Sequence, residues 1–359
     1  MTWPMLTGWR GLRVFWLAVL LLAGGGAAVL QVLGPLPPPL RSQAAVSRPQ
    51  VAAAAPAAAA VLPPLVTQRP VMQAADRPGR DTPGPIADPD PGLLEPAPGA
   101  PSDMLPRIAE DGRQPMQVYA AGFDRSSRRP RIGILVAGIG LNENDSLKAI
   151  KDLPGGVTLA VSPYATRLPK LLAAARAAGD EYLLSIPMEP QGFPQNDPGP
   201  RALMTSLSVA ENLRRLHWLL ADFSGYVGVT NALGAMRGER FAGMPNQMDP
   251  LLAELARRGL LYVDARPAGS GGVAMERHVW SRDVDLVLDE PIDDIDRKLA
   301  ELEQIAQAKG DALGLAGAPV PVTIDHIALW ASGLLSRGLT LAPVSALVRP
   351  PSDVATSAP

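Results

Sequence analysis

Short apolar runs recur at steady intervals through the second part of the chain, at residues 132–136, 157–161, 182–186, 226–229, 260–263, 284–288, 313–316 and 339–344. Several are rich in β-branched residues, and they lack clean apolar/polar alternation. That is the pattern of strands covered on both faces. Amphipathic stretches lie between them. Residues 168–178 run into Gly179, a helix-stop signal. Residues 208–223 open with Ser208 and carry Glu211 three positions on, a capping-box pattern, and place Leu213, Leu216, Leu220 and Phe223 on one face. Residues 247–258, 292–309 and 322–337 each end at a glycine: Gly259, Gly310 and Gly338. Strand and helix alternating in this way predict an α/β fold of parallel strands with crossover helices. Seven or eight such units predict a barrel rather than an open sheet.

The first third of the chain reads differently. Residues 14–34 carry no charge and are nearly all apolar; at ~1.5 Å per residue, roughly 21 residues span the ~30 Å hydrocarbon core. Arg10 and Arg13 precede the run with no acidic companion, so the rest of the chain is expected outside the cytoplasm. The competing reading is a cleaved signal peptide, for which Ala27 and Ala28 are small enough. Residues 35–130 are rich in Pro, Ala, Gly and Asp, and are expected to form a disordered spacer unable to bury a core. The expected organisation is a cytoplasmic stub with a single-pass inner-membrane anchor over 1–34, the spacer over 35–130, a periplasmic domain over 131–349 and a disordered tail over 350–359.

Composition narrows the chemistry. The 359 residues carry 33 Lys and Arg against 35 Asp and Glu, a net charge of -2, which gives no basic footprint for nucleic acid. Cysteine is absent, which removes disulfides, thiolate nucleophiles and zinc-thiolate sites together. The three histidines, His217, His278 and His326, share no ligand spacing such as i, i+4. Gly138-Ile139-Gly140 lacks the third glycine of a dinucleotide loop and reads as a tight turn. The acidic group Asp289, Glu290, Asp293, Asp294 and Asp296 lacks the spacing and central glycine of a calcium loop, and reads instead as a favourable helix start. The basic run Arg125, Arg128, Arg129 and Arg131 reads as the solvated end of a linker.

Several segments, taken in order, resemble the divergent polysaccharide deacetylase family: Val157-Thr158-Leu159-Ala160-Val161-Ser162-Pro163-Tyr164, Ile186-Pro187-Met188-Glu189-Pro190, Asp197-Pro198-Gly199-Pro200, Gly228-Val229-Thr230-Asn231, Gly259-Leu260-Leu261-Tyr262-Val263-Asp264 and Ala342-Pro343-Val344-Ser345. The resemblance implies the irregular (β/α)7–8 barrel of the NodB-type carbohydrate esterases, which use a divalent metal to activate water against an N-acetyl group. It also exposes a departure. Where the family carries two aspartates at the end of its first strand, this chain has Ala137 and Gly138; where it carries histidines, this chain has Ser185 and Ala232. No cofactor and no metal centre are therefore expected. The polar residues left at strand ends are Glu189 and Asp264, candidate acid and base, and Asn231 and Arg266, candidate substrate-binding groups. Tyr164 and Phe193 could offer apolar faces to a sugar. Asp264 and Arg266 could also simply pair beneath a carbohydrate groove. Two functions remain open: a non-catalytic protein binding a cell-wall glycan or an envelope protein, and a hydrolase with a rearranged site.

Overall fold

In the computed structural model, which describes residues 78–98, 100–267, 279–288 and 294–351 together with Trp16, order begins well before Arg131. A single 3₁₀ turn, Pro91–Leu93, leads into an antiparallel hairpin of β1 (Leu94–Ala97) and β2 (Ala100–Pro106), and the four-residue helix α1 (Pro115–Val118) follows. Leu93, Leu105, Met116, Tyr119 and Phe123 are all buried. The expected spacer is thus corrected from residue 78 onward. These apolar anchors are spaced too irregularly to show a helix or strand period. They find a core only because another part of the chain supplies the facing surface. The membrane-span reading of residues 14–34 falls, apart from Trp16, outside the described residues; among those that are described, no helix is long and apolar enough to cross a membrane.

The recurrent apolar runs form the parallel sheet the pattern predicts. From β3 (Arg131–Ile139) the sheet proceeds through β4 (Val157–Val161), β5 (Tyr182–Ser185), β6 (Gly228–Thr230) and β7 (Leu261–Pro267) to β8 (Ser281–Val284). On the other side of β3 lies β10 (Asp311–Ala316), paired with β9 (Leu286–Val287), while β11 (Thr340–Leu341) pairs with the start of β3. The run 284–288 is therefore not one strand. Residues before Asp285 pair with β7 and residues after it pair with β10, so this bent segment nearly closes the sheet into a barrel. Asp285 holds the bend: its Oδ2 accepts from Leu313 N at 2.9 Å and from Arg282 Nη2 at 2.6 Å.

Side chains alternate across this wall. Leu135, Leu183, Val227, Val263 and Leu315 belong to an inner cluster that also contains Leu93, Met116, Tyr119 and Phe123. Ile134, Leu159, Leu184 and Tyr262 face outward into a second cluster with the helices. Those helices are α2 (Glu143–Asp152), α3 (Leu168–Ala178), α4 (Val209–Leu220), the single turn α5 (Glu239–Ala242), α6 (Pro245–Arg257), α7 (Ile295–Lys309) and α8 (Pro321–Ser332). Several of their ends follow the predicted signals: Ser208 Oγ accepts from Glu211 N, and Gly179 and Gly310 stop α3 and α7 in the left-handed conformation, whereas α8 stops at Ser332 and a separate 3₁₀ turn, Leu335–Arg337, precedes the expected stop at Gly338.

The N-terminal segment straps the foot of the barrel, where the strands begin. Its tie is the fully buried Glu181, whose carboxylate accepts from Ala121 N (3.0 Å), Thr158 Oγ1 (2.9 Å), Ser345 N (3.0 Å) and Ser345 Oγ (2.6 Å). Burial pushes this carboxyl up, and the donors pull against it. Arg131 adds a cation–π contact over the Phe123 ring, 5.2 Å from its centroid.

Candidate functional site

The carboxyl ends of the strands open on the face opposite the strap, where barrel enzymes place their chemistry. The four positions that would hold a metal are all buried there, and Ala137, Ser185 and Ala232 have no exposed surface. Gly138 takes a positive φ of 73°, and a side chain added to it would sit 3.3 Å from Gly317 O. Ser185 Oγ finds no hydrogen-bond partner among the described residues. Hydroxyl, methyl and hydrogen cannot replace carboxylate and imidazole around a divalent ion. Among the described residues no group of three or more His, Asp or Glu converges anywhere. The donor set therefore does not fit the family's metal.

His217, His326 and Asp294 are engaged in structural contacts. His217 Nε2 meets Glu254 Oε1 at 2.6 Å between α4 and α6, and His326 Nδ1 meets Asp296 at 2.7 Å between α8 and α7. His278 lies outside the described residues, as do Asp289, Glu290 and Asp293; Asp294 pairs with Arg297 at 2.6 Å. At the strand-to-helix turn, Leu141 N closes on Gly138 O at 3.2 Å, and Asn142 caps α2.

Three of the six candidate site residues come together. Asp264, on β7, takes Arg266 side-on: Nε lies 3.1 and 3.0 Å from its two oxygens, Nη2 lies 2.6 Å from Oδ2, and the Arg266 backbone N donates to Oδ1 at 2.9 Å. Asn231, just past β6, donates through Nδ2 to Asp264 Oδ1 (3.1 Å) and Arg237 O (2.7 Å), and its Oδ1 accepts from Ala265 N (2.7 Å). Burial works against the Arg266 charge, but Asp264 raises its pKa on balance. Glu189 stands apart. Its Oε1 is 2.7 Å from Arg240 Nη1, and its Oε2 accepts from Thr205 N and Oγ1 at 2.7 Å each. Both carboxylates thus accept hydrogen bonds from neighbouring donors. Tyr164 donates its hydroxyl to Pro198 O at 2.9 Å, and burial pushes its phenol up. Phe193 lies exposed on the loop that follows Glu189.

Beside this network lies a cleft of about 510 Å³. Of the predicted site residues only Arg266 lines it, joined by Gln191, Asn196, Met236, Arg237 and Glu239. Sequence reasoning missed these partners. They sit in irregular turns and at the start of the short helix α5, with no period, and their one signal is position: each lies in the connection that leaves the carboxyl end of a strand, β5 or β6.

The domain is a nearly closed parallel α/β barrel with a polar cleft at its strand ends. Residues 134–348 match the divergent polysaccharide deacetylase family, and the chain belongs to that family. Among solved structures it is similar to an uncharacterized protein of Agrobacterium tumefaciens C58, with 34% identity, a TM-score of 0.63, and coverage of 68% of this chain and 100% of that one. A protein of Enterococcus faecalis V583 proposed to cleave cellobiose phosphate overlaps more loosely, at 9% identity and a TM-score of 0.45, over 62% of this chain and 100% of that one. No curated protein matches significantly.

Proposed function

We propose that this family member binds a cell-envelope glycan, or a protein partner that displays one, without turning it over. In this reading the span at residues 14–34 holds it to the inner membrane, and the barrel faces the periplasm. The observation that carries the proposal is the state of the strand ends. The metal-holding positions are buried Ala137, Gly138, Ser185 and Ala232, and the two carboxylates that could act instead are tied to Arg240 and Arg266. A hydrolase needs an electrophile to polarise the amide and a base able to take up a proton. Glu189 and Asp264 would each have to give up an arginine partner to take up a proton. What the mouth does retain is a cleft with side-chain amides and both signs of charge, and such groups orient sugar hydroxyls and acyl groups.

The test pairs two measurements on N-acetylated oligosaccharides: acetate release and calorimetric binding. Binding without acetate release is expected. Release that disappears in Glu189→Gln or Asp264→Asn would establish the rearranged-hydrolase reading in its place.

A further inference from the structure

We infer that the foot of the barrel docks on an anionic bilayer, with Arg128, Arg129 and Lys151 meeting lipid headgroups and Leu335 entering among them. This surface lies at the opposite end of the barrel from the cleft, and it is independent of the glycan reading.

The foot carries a second cavity, of about 310 Å³. Ser127 and Arg129 line it from the segment before β3, Gly155 and Gly156 from the turn before β4, and Leu335 from the 3₁₀ turn after α8. Charge around it is uneven. Residues 124–131 hold Arg125, Arg128, Arg129 and Arg131 against a single acid, Asp124. Asp124 also lines the cavity, but it turns back on its own loop and accepts from Ser126 N (2.9 Å) and Oγ (2.6 Å). Arg125 lies 3.6 Å from Asp81, and Arg131 sits over the Phe123 ring. Arg128 and Arg129 are exposed, and neither has a salt-bridge partner among the described residues. The same holds for Lys151, in the last turn of α2 just ahead of Gly155. The acids nearest it, Asp152 and Asp325, both turn to Lys148, at 2.7 and 2.6 Å. Three cations are thus left for an anionic partner.

Leu335 decides what kind of partner. It lines the same cavity and is 62% exposed. A soluble polyanion offers charge but nothing that covers a leucine. A bilayer surface offers both: anionic headgroups that attract each basic residue, and an acyl boundary for the apolar side chain beside them. Arginine suits that level, because its apolar stem lies along the boundary while the guanidinium stays among the headgroups. Connectivity agrees. Pro83, which follows closely on the first described residue of the strap, Pro78, lines this cavity, so the upstream chain that carries the apolar run 14–34 joins the domain at this end.

The chain has no cysteine, so one introduced thiol takes a fluorophore uniquely. Full-length Ser336→Cys and Val322→Cys, each carrying a nitrobenzoxadiazole dye, are mixed with vesicles of phosphatidylcholine alone or of phosphatidylcholine and phosphatidylglycerol in equal parts. Ser336 neighbours Leu335 at the foot, whereas Val322, also exposed, begins α8 at the mouth end. The Ser336 dye is expected to brighten and shift to the blue on anionic vesicles at low salt, to lose the response as salt rises, and to stay dark on neutral ones. The Val322 dye should not respond. Replacing both exposed arginines, Arg128→Gln with Arg129→Gln, should weaken the apparent vesicle affinity by about tenfold or more. The dye reads the foot itself, so uptake of residues 14–34 by either kind of vesicle does not imitate this pattern. Equal response on neutral vesicles, equal response of the two dyes, a double variant that binds like the parent, or no response at all refutes the inference. A response of the same size to soluble dextran sulfate, without vesicles, would mark a polyanion site and overturn the membrane assignment.

Discussion

Single residues in this molecule show how burial sets the behaviour of an acid. Asp180 and Glu181 are adjacent and both buried, but only Glu181 is surrounded by donors. Burial, helped by the neighbouring Glu181 charge, pushes the Asp180 carboxyl up to about 7. The folded protein then holds a proton that the unfolded chain, titrating near 3.8, releases. Between those two values folding takes up a proton, so the Asp180 contribution is fully present below the unfolded pKa and is lost as pH rises through about 7. Asp180→Asn should therefore raise the urea midpoint at pH 8, by at most about 4 kcal/mol in stability, and change it little at pH 4. A variant equally stabilised at both pH values would show that the carboxyl is not held protonated in the native state. None of this is visible in sequence, where Asp180 reads only as a polar residue after a helix stop.

At the scale of elements, the strap is the main revision. Leu93, Leu105, Met116, Tyr119 and Phe123 are buried by contacts with the barrel. At about 1.5–3 kcal/mol for each large apolar side chain, their loss is comparable with the whole stability of an ordinary domain, about 5–15 kcal/mol. A chain beginning at Arg131 is expected to lose cooperative unfolding, whereas one beginning at Pro78 should unfold like the full-length protein in the same urea titration followed by circular dichroism. Equal midpoints for the two truncations would return the strap to the status of a spacer. The helices and strands of the barrel, by contrast, were legible. The Ser208 cap, the stops at Gly179 and Gly310 and the runs at 157–161 and 313–316 act locally, through backbone hydrogen bonds and left-handed glycine. The run at 284–288 was legible as strand but not as two strands, because the bend at Asp285 is defined by Leu313 and Arg282 rather than by its immediate neighbours.

At the scale of the whole molecule, the barrel keeps its family's architecture while Ala137, Gly138, Ser185 and Ala232 stand where the metal would be held. Full-length protein equilibrated with zinc and then dialysed is expected to retain well under one ion per chain by elemental analysis. One tightly held equivalent would point to ligands beyond the strand ends described above. The sequence by itself determined the alternation of strand and helix, the family and the identity of the residues standing where ligands would be, because period, caps and side-chain chemistry are properties of the chain before it folds. It also supplied Asp264, Asn231 and Arg266 as candidates. Only the tertiary structure decided that these three form one network, that Glu189 is held separately by Arg240, and that the cleft is completed by Gln191, Asn196, Arg237 and Glu239. Those contacts join loops from different strands, and no local rule specifies which turns will meet once the sheet curls into a barrel.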